Sequence, residues 1–273
     1  MGRVTTRVPV RRIRGELDAT RPDTLAVEEP LEIRVGGRSL TVTMRTPGAD
    51  IDLVHGFLLS EGLIGSVDDI ATIRYCDGVD DAGANTYNVI DVTPADGVSI
   101  APRPRAFVSN SACGVCGSSA IDDIRATSRF DLSTDDSSIG VEALGALPDR
   151  LRSAQATFTA TGGTHAAALF DTDGTLLVVR EDVGRHNALD KAVGWALREG
   201  RIPLRHTVAM MSSRVSFELV QKSVMAGIPI IAAVSAPSSL AAHLGAELDL
   251  TVVGFLRGAS MNVYSAPQRI IGA

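Results

Sequence analysis

The sequence predicts an α/β protein: a mostly parallel sheet with helices on both faces, a three-layer sandwich, preceded by a smaller α+β unit. Three observations predict it. From Thr175 to Leu256 four apolar runs of strand length alternate with three segments of helical spacing, the order in which parallel strands are laid down. The four runs, "TLLVVRE", "TVAMMSS", "IPIIAAVSA" and "LTVVGFL", are nearly continuous in apolar residues, as strands buried on both faces are. Upstream, "LEIRVGGRSLTVTM" instead alternates apolar with polar residues around Gly36 and Gly37, the signature of a half-buried hairpin with glycines in its turn.

Taken in order, that hairpin is followed by "DIDLVHGFLLSEGLI", with Ile51, Val54, Phe57 and Leu58 on one helical face and Asp50 placed to cap it. Two more strands are expected around "ATIRYCD" and "TYNVIDV", separated by an Asp- and Gly-rich loop. The three prolines of "PADGVSIAPRPR" mark a linker, so the domains are read as residues 1–104 and 105–273. "SSAIDDIRA" and "VEALGALPDRLRSA" carry helical spacing, the second expected to break or kink at Pro148. Between the strands of the main run lie "ALDKAVGWALREG", "SFELVQKSVMAG" and "SLAAHLGAEL", read as helices that cover the sheet.

A chain of 273 residues with a net charge of −6 is an unpromising nucleic-acid binder, because phosphate contacts need clustered Lys and Arg. Three cysteines make no even disulfide framework. The basic start has no apolar run of signal-peptide length, and no stretch is long enough to span a bilayer. A cytoplasmic protein with no membrane partner is expected.

Ligands of such sheets collect beyond the carboxyl ends of the strands, where loops lead into helix starts. Here those loops read "REDVGRHN", "SSRVS", "SAPSS" and "FLRGAS". Ser212, Ser213 and Ser235 offer hydroxyls, while Arg185, Arg214 and Arg257 offer charge-assisted bonds to phosphate or carboxylate. Each loop alone is explained by helix capping; four on one sheet edge favour a phosphorylated small molecule. "ATGGTHAAALF" adds Gly163 and His165, and His186 joins them as a base or hydrogen-bonding group, with Lys191 a further candidate for orienting charge or moving protons.

The remaining feature is "VSNSACGVCGSS". The spacing of Cys113 and Cys116 serves redox pairs, half of a zinc site and sulfur relays. A turn before a helix starting near Ser118 would favour a thiolate at either position. Zinc requires about four ligands, and neither a second such pair nor a local His pair is present, so no metal site is expected. A deaminase-type zinc hydrolase would need H-x-E ahead of the cysteines and a proline where Ala112 stands.

These segments together, with "SNSACGVCG", "TGGTHAAALF", "REDVGRHNALDKAVG", "SSRVSFELVQKSVMAGIPIIAAVSAPSSLA", "VGFLRGASMNVYSAPQRI" and the earlier "MRTPGADIDLVHGFLLSEGLI", resemble the FdhD family, from about Met44 to Ile270. The resemblance implies a sulfurtransferase that takes persulfide sulfur from a cysteine desulfurase. It would pass that sulfur to the molybdenum or tungsten bis-pterin guanine dinucleotide cofactor of formate dehydrogenase, bound as substrate with no permanent cofactor. It also implies that Cys113 carries the persulfide and Cys116 assists. Phe255, Leu256, Arg257, Gly258, Ala259 and Ser260 would hold the cofactor, whose guanine nucleotide part is a partner in its own right. The larger domain would be similar to cytidine deaminases, and the protein a homodimer. Two readings stand beside this one: a chaperone that binds the cofactor without transferring sulfur, and a zinc-dependent deaminase-like hydrolase.

Overall fold

The computed structural model describes residues 3–15, 17–76, 78, 85–100, 124 and 127–272. Cys113, Cys116 and the helix expected over "SSAIDDIRA" lie outside these, apart from Ile124 at the edge of that segment.

The chain opens with a ribbon that the sequence reading did not foresee, β1 (Thr5–Arg14) and β2 (Leu17–Ala26), paired with each other as a two-stranded sheet. The expected hairpin follows as β3 (Glu29–Val35) and β4 (Arg38–Arg45), with Gly36 and Gly37 both at positive φ in its turn. Helix α1 (Asp50–Ser60) leads to β5 (Ile70–Tyr75) and β6 (Val89–Pro94), and a four-stranded sheet forms in the order β4-β3-β6-β5. The N-cap of α1 is Ala49 rather than Asp50; the Asp50 carboxylate is buried against the Arg45 guanidinium instead.

The second half builds β7 (Ile139–Gly140), α2 (Val141–Ala154), α3 (Ala156–Thr161), β8 (His165–Asp171) and β9 (Leu176–Asp182). Next come α4 (Arg185–Arg198), β10 (Thr207–Met211), α5 (Phe217–Met225), β11 (Ile230–Ala233) and α6 (Ser239–Glu247). The hairpin of β12 (Thr251–Arg257) and β13 (Ser260–Ser265) and the short β14 (Ile270–Ile271) end the chain. Helix α2 runs through Pro148 without the expected break.

The large sheet has the order β13-β12-β11-β10-β8-β9. It corrects the expectation of a mostly parallel sheet: β10–β11 and β11–β12 are parallel, whereas β9–β8, β8–β10 and β12–β13 are antiparallel. The four strands of the alternating run do share one direction, because β8 opposes both β9 and β10 and sits between them. A pattern of buried strands records burial and not the direction of the neighbour, so β8 was invisible as an intruder.

Alternate residues of the strands feed two cores. Ala166, Ala168 and Phe170 face Leu144, Leu147 and Leu151 of α2, while Ala167 and Leu169 join a larger cluster with residues of α4, α5 and α6. That larger cluster also contains Leu31, Ile33, Leu53, Ile90 and Val92 from the first hundred residues, so one continuous apolar core joins the two sheets. Among the described residues no helix is long and apolar enough to cross a membrane.

Candidate functional site at the carboxyl edge of the large sheet

Strand direction decides where the chemistry gathers. The carboxyl ends of β9, β10, β11 and β12 lie on one edge, and antiparallel β8 and β13 begin there. The loops singled out from the sequence therefore converge on this edge.

The turn after β9 is set by Asp182, which is fully buried. Its Oδ1 accepts from the Gly184 N–H at 2.8 Å and from Asn187 Nδ2 at 3.2 Å. Its Oδ2 accepts from the Thr46 N–H at 3.1 Å and lies 2.7 Å from Lys191 Nζ, which also donates to the Thr46 carbonyl at 2.7 Å. Lys191 is thus a buried tie between the α4 start and the segment after β4, which corrects its reading as a ligand or proton carrier. Its third N–H faces the Glu181 carbonyl at 3.5 Å, so all three donors of this buried ammonium are directed at the protein itself.

That tie presents the first turn of α4 to the edge. Arg185 is half-buried, and its Nε is buried without a hydrogen-bond partner among the described residues. His186 Nε2 lies 2.8 Å from Glu218 Oε2 and 3.0 Å from Ser216 Oγ, and Ser216 Oγ donates to Glu218 Oε2 at 3.3 Å. Ser216 is the N-cap residue of α5 yet makes no side-chain cap bond; its hydroxyl serves the His–Glu pair. Sequence reasoning passed over Ser216 and Glu218, although a Ser-x-Glu at a helix start opposite a loop histidine was a readable signal. Bonding to His186 holds the Glu218 carboxyl down at about 2.

A group with a depressed folded pKa adds stability above its unfolded pKa and loses it as pH falls through the folded value. The difference in urea stability between wild type and Glu218→Gln should therefore be present at pH 5 and vanish towards pH 2. Glu218 is half-exposed, so screening keeps this below about 1 kcal/mol.

His165 opens β8 directly across from Asp182. Burial pushes its pKa down, and the nearby charges of Arg185 and His186 push it the same way. Arg185, His165 and His186 form one basic cluster, with His165 inclined to the neutral form. Gly163 is exposed, and a Cβ there would meet nothing closer than 3.6 Å. The position that needs glycine is Gly162, which ends α3 at φ 69.

The other serines divide by role. Ser212 Oγ accepts from the Ala166 N–H at 2.8 Å and extends the β8–β10 ladder. Ser213 is buried and donates to the Arg214 carbonyl, whereas Arg214 is exposed and its side chain has no partner among the described residues. The Ser235 carbonyl accepts from the Phe255 N–H at 3.2 Å. Phe255 stands at φ 53 where the β12–β13 register shifts, and it is 44% exposed. A left-handed, exposed aromatic at a bulge is a costly placement that re-aims a side chain. Leu256, by contrast, is fully buried in the α2 core, so its side chain is structural and only its backbone belongs to the rim. Arg257, Gly258, Ala259 and Ser260 form the exposed hairpin tip. The Gly258 carbonyl packs on Gly145 of α2, where a Cβ would approach it to 2.4 Å.

The edge therefore offers cationic and hydrogen-bonding groups on one flank and an exposed aromatic with a polar tip on the other. Among the described residues there is no group of three or more His, Cys, Asp or Glu that could hold a metal ion.

Comparison with known proteins agrees in one direction. Residues 26–271 match the family model for the FdhD/NarQ family. A sulfur carrier protein FdhD of Nocardia farcinica is 58% identical over 269 residues, covering 98% of this chain and 96% of that one. The protein of the same name from Mycolicibacterium paratuberculosis is 56% identical over 98% of this chain and 99% of its own. Among solved structures, one from Desulfotalea psychrophila, assigned provisionally as a formate dehydrogenase accessory protein, superposes with a TM-score of 0.76. It covers 98% of this chain and all of its own, at 24% identity.

Proposed function

Because the chain belongs to the FdhD/NarQ family, we propose that it is a sulfur carrier that serves the maturation of formate dehydrogenase. The observation that carries this reading is near-full-length identity above one half with proteins named as sulfur carriers. The finer steps are our own. A cysteine desulfurase supplies the sulfur; the Cys113 thiolate attacks the outer sulfur of its persulfide, and the donor sulfur leaves as a thiolate. Cys113 then hands the outer, sulfane-level sulfur to the bis-pterin guanine dinucleotide cofactor: the S–S bond breaks, Cys113 leaves as a thiolate, and the two electrons that turn the sulfur into a sulfide ligand come from the reduced molybdenum or tungsten centre of the cargo. Cys116 assists the exchange. The cofactor is cargo rather than a resident group, and the working unit is a homodimer in the cytoplasm. A cytidine deaminase-like fold for the larger domain belongs to the same proposal.

The sheet edge supports the cargo part. Diphosphate needs donors, which Arg185, His186 and the start of α4 supply. A planar base needs a face to stack on, which Phe255 offers. Arg185→Ala is expected to weaken binding of GDP, the probe for the guanine end, about tenfold, the scale of one charge-assisted hydrogen bond. Calorimetric titration checks this, and unchanged affinity would remove Arg185 from the site. Cys113→Ala should bind GDP as wild type does while carrying no sulfur, which separates carrier from chaperone. Wild type that binds GDP but takes up no sulfur from an active desulfurase would leave the chaperone reading.

A further inference from the structure

The β1–β2 ribbon plays no part in the site above, and its composition is unlike the rest of the chain. Residues 1–27 hold six arginines against three acids, a net +3; with −6 on the whole chain, the remainder carries −9. Arg3, Arg7, Arg14 and Arg21 are exposed, and none has a side-chain partner among the described residues. Among the described residues Arg11 and Arg12 pair only with Asp18 and Asp23 of the ribbon itself.

Among the described residues the ribbon is hydrogen-bonded as a sheet to nothing but itself, and it meets the body through β2 against α3. Ten residues per strand give a length of about 33 Å. A lone two-stranded ribbon of that kind is marginal in water. It nevertheless exposes Val4 (38%), Ile13 (62%) and Leu25 (43%). A surface that covers it would repay both the exposed apolar area and the unpaired guanidinium groups.

The register says which surface of the ribbon is meant to dock. Pro9 lies opposite Pro22. Counting from Val27 N–H to Val4 O, a hydrogen-bonded pair, the two prolines fall in a pair that exchanges no hydrogen bonds. Their missing N–H groups would have faced the two outer edges. Both edges thus lack a donor at mid-ribbon, which discourages addition of a third strand. Docking falls to the faces, one with Arg12, Arg14, Arg21, Val8 and Val10, the other with Arg7, Arg11 and Ile13.

We propose that the ribbon is a docking arm for a second copy of this chain, the basic arm of each subunit lying across the acidic body of the other. Both halves of the charge complementarity are present in one sequence, and a twofold axis makes the contact twice. The inference rests on the homodimer reading and adds the surface that makes it.

Sedimentation velocity over a range of concentrations tests it on the full chain. Wild type should dimerise, more weakly at about 0.5 M than at about 0.05 M salt, because the screening length shrinks. Arg7→Glu/Arg14→Glu/Arg21→Glu should raise the dimer dissociation constant by about tenfold or more, with thermal unfolding unchanged. Arg14→Ser/Arg21→Ser gives the same test should the triple variant fail to fold. A dimer indifferent to both variants overturns the arm but leaves the homodimer. A monomer at every concentration overturns both, and a monomer that loses sulfur uptake from a cysteine desulfurase in the triple variant assigns the arm to another protein.

Discussion

Gly194→Ala is expected to destabilise the protein by about 3 kcal/mol or more, the upper end for an overpacked core and a large share of the total stability of a domain. A methyl group at Gly194 would stand 1.8 Å from the carbonyl oxygen of Asp52, and one at Gly56 would stand 1.8 Å from that of Asp190. The obstacles are backbone atoms of the facing helix, which no rotamer change can clear. Helices α1 and α4 must separate, and with them goes the contact of Asp52 with Arg180 at 2.8 Å and Arg198 at 2.6 Å. Because α4 also carries Arg185 and His186 in its first turn, the crossing that joins the two sheets sets the candidate site as well. Urea denaturation of Gly194→Ala beside Gly163→Ala measures this. The second variant meets only ordinary contacts and should cost under about 1 kcal/mol.

The other large effect is chemical. Cys113→Ala should reduce formate dehydrogenase maturation to background in cells without another carrier. A carrier without its nucleophile has no covalent route for sulfur, and no neighbouring interaction substitutes for a bond. Thermal stability should be close to wild type, since only a single sulfur atom is removed. Cys116→Ala should retain part of the activity, because its role is to assist.

The strands were legible wherever burial leaves a pattern. The hairpin at Gly36 and Gly37 and the four apolar runs after Thr175 all appear as strands. Neighbour relations were not legible, since β8 reads the same whether it runs with or against β10. The ribbon escaped notice because "RVPVRRIRG" and "TRPDTL" hold prolines and charges that argue against a strand. Only the register explains how both prolines are tolerated. At the site, the loops that hold Arg185, His186 and the serines could be assigned to one edge from strand order alone, whereas His165 was a candidate for its glycine-containing loop and joins that edge only through the direction of β8. The partners of a side chain could not: Lys191 looked like a ligand until Asp182 was found beside it, and Glu218 was passed over until His186 was found against it.

The measurement that tests the central claim most directly is the intact mass of the purified chain after incubation with a cysteine desulfurase and cysteine, for wild type, Cys113→Ala and Cys116→Ala. Sulfur carriage predicts a reductant-labile gain of one or more sulfur atoms in wild type and Cys116→Ala, and none in Cys113→Ala. No gain in wild type with an active desulfurase, or an undiminished gain in Cys113→Ala, would contradict it.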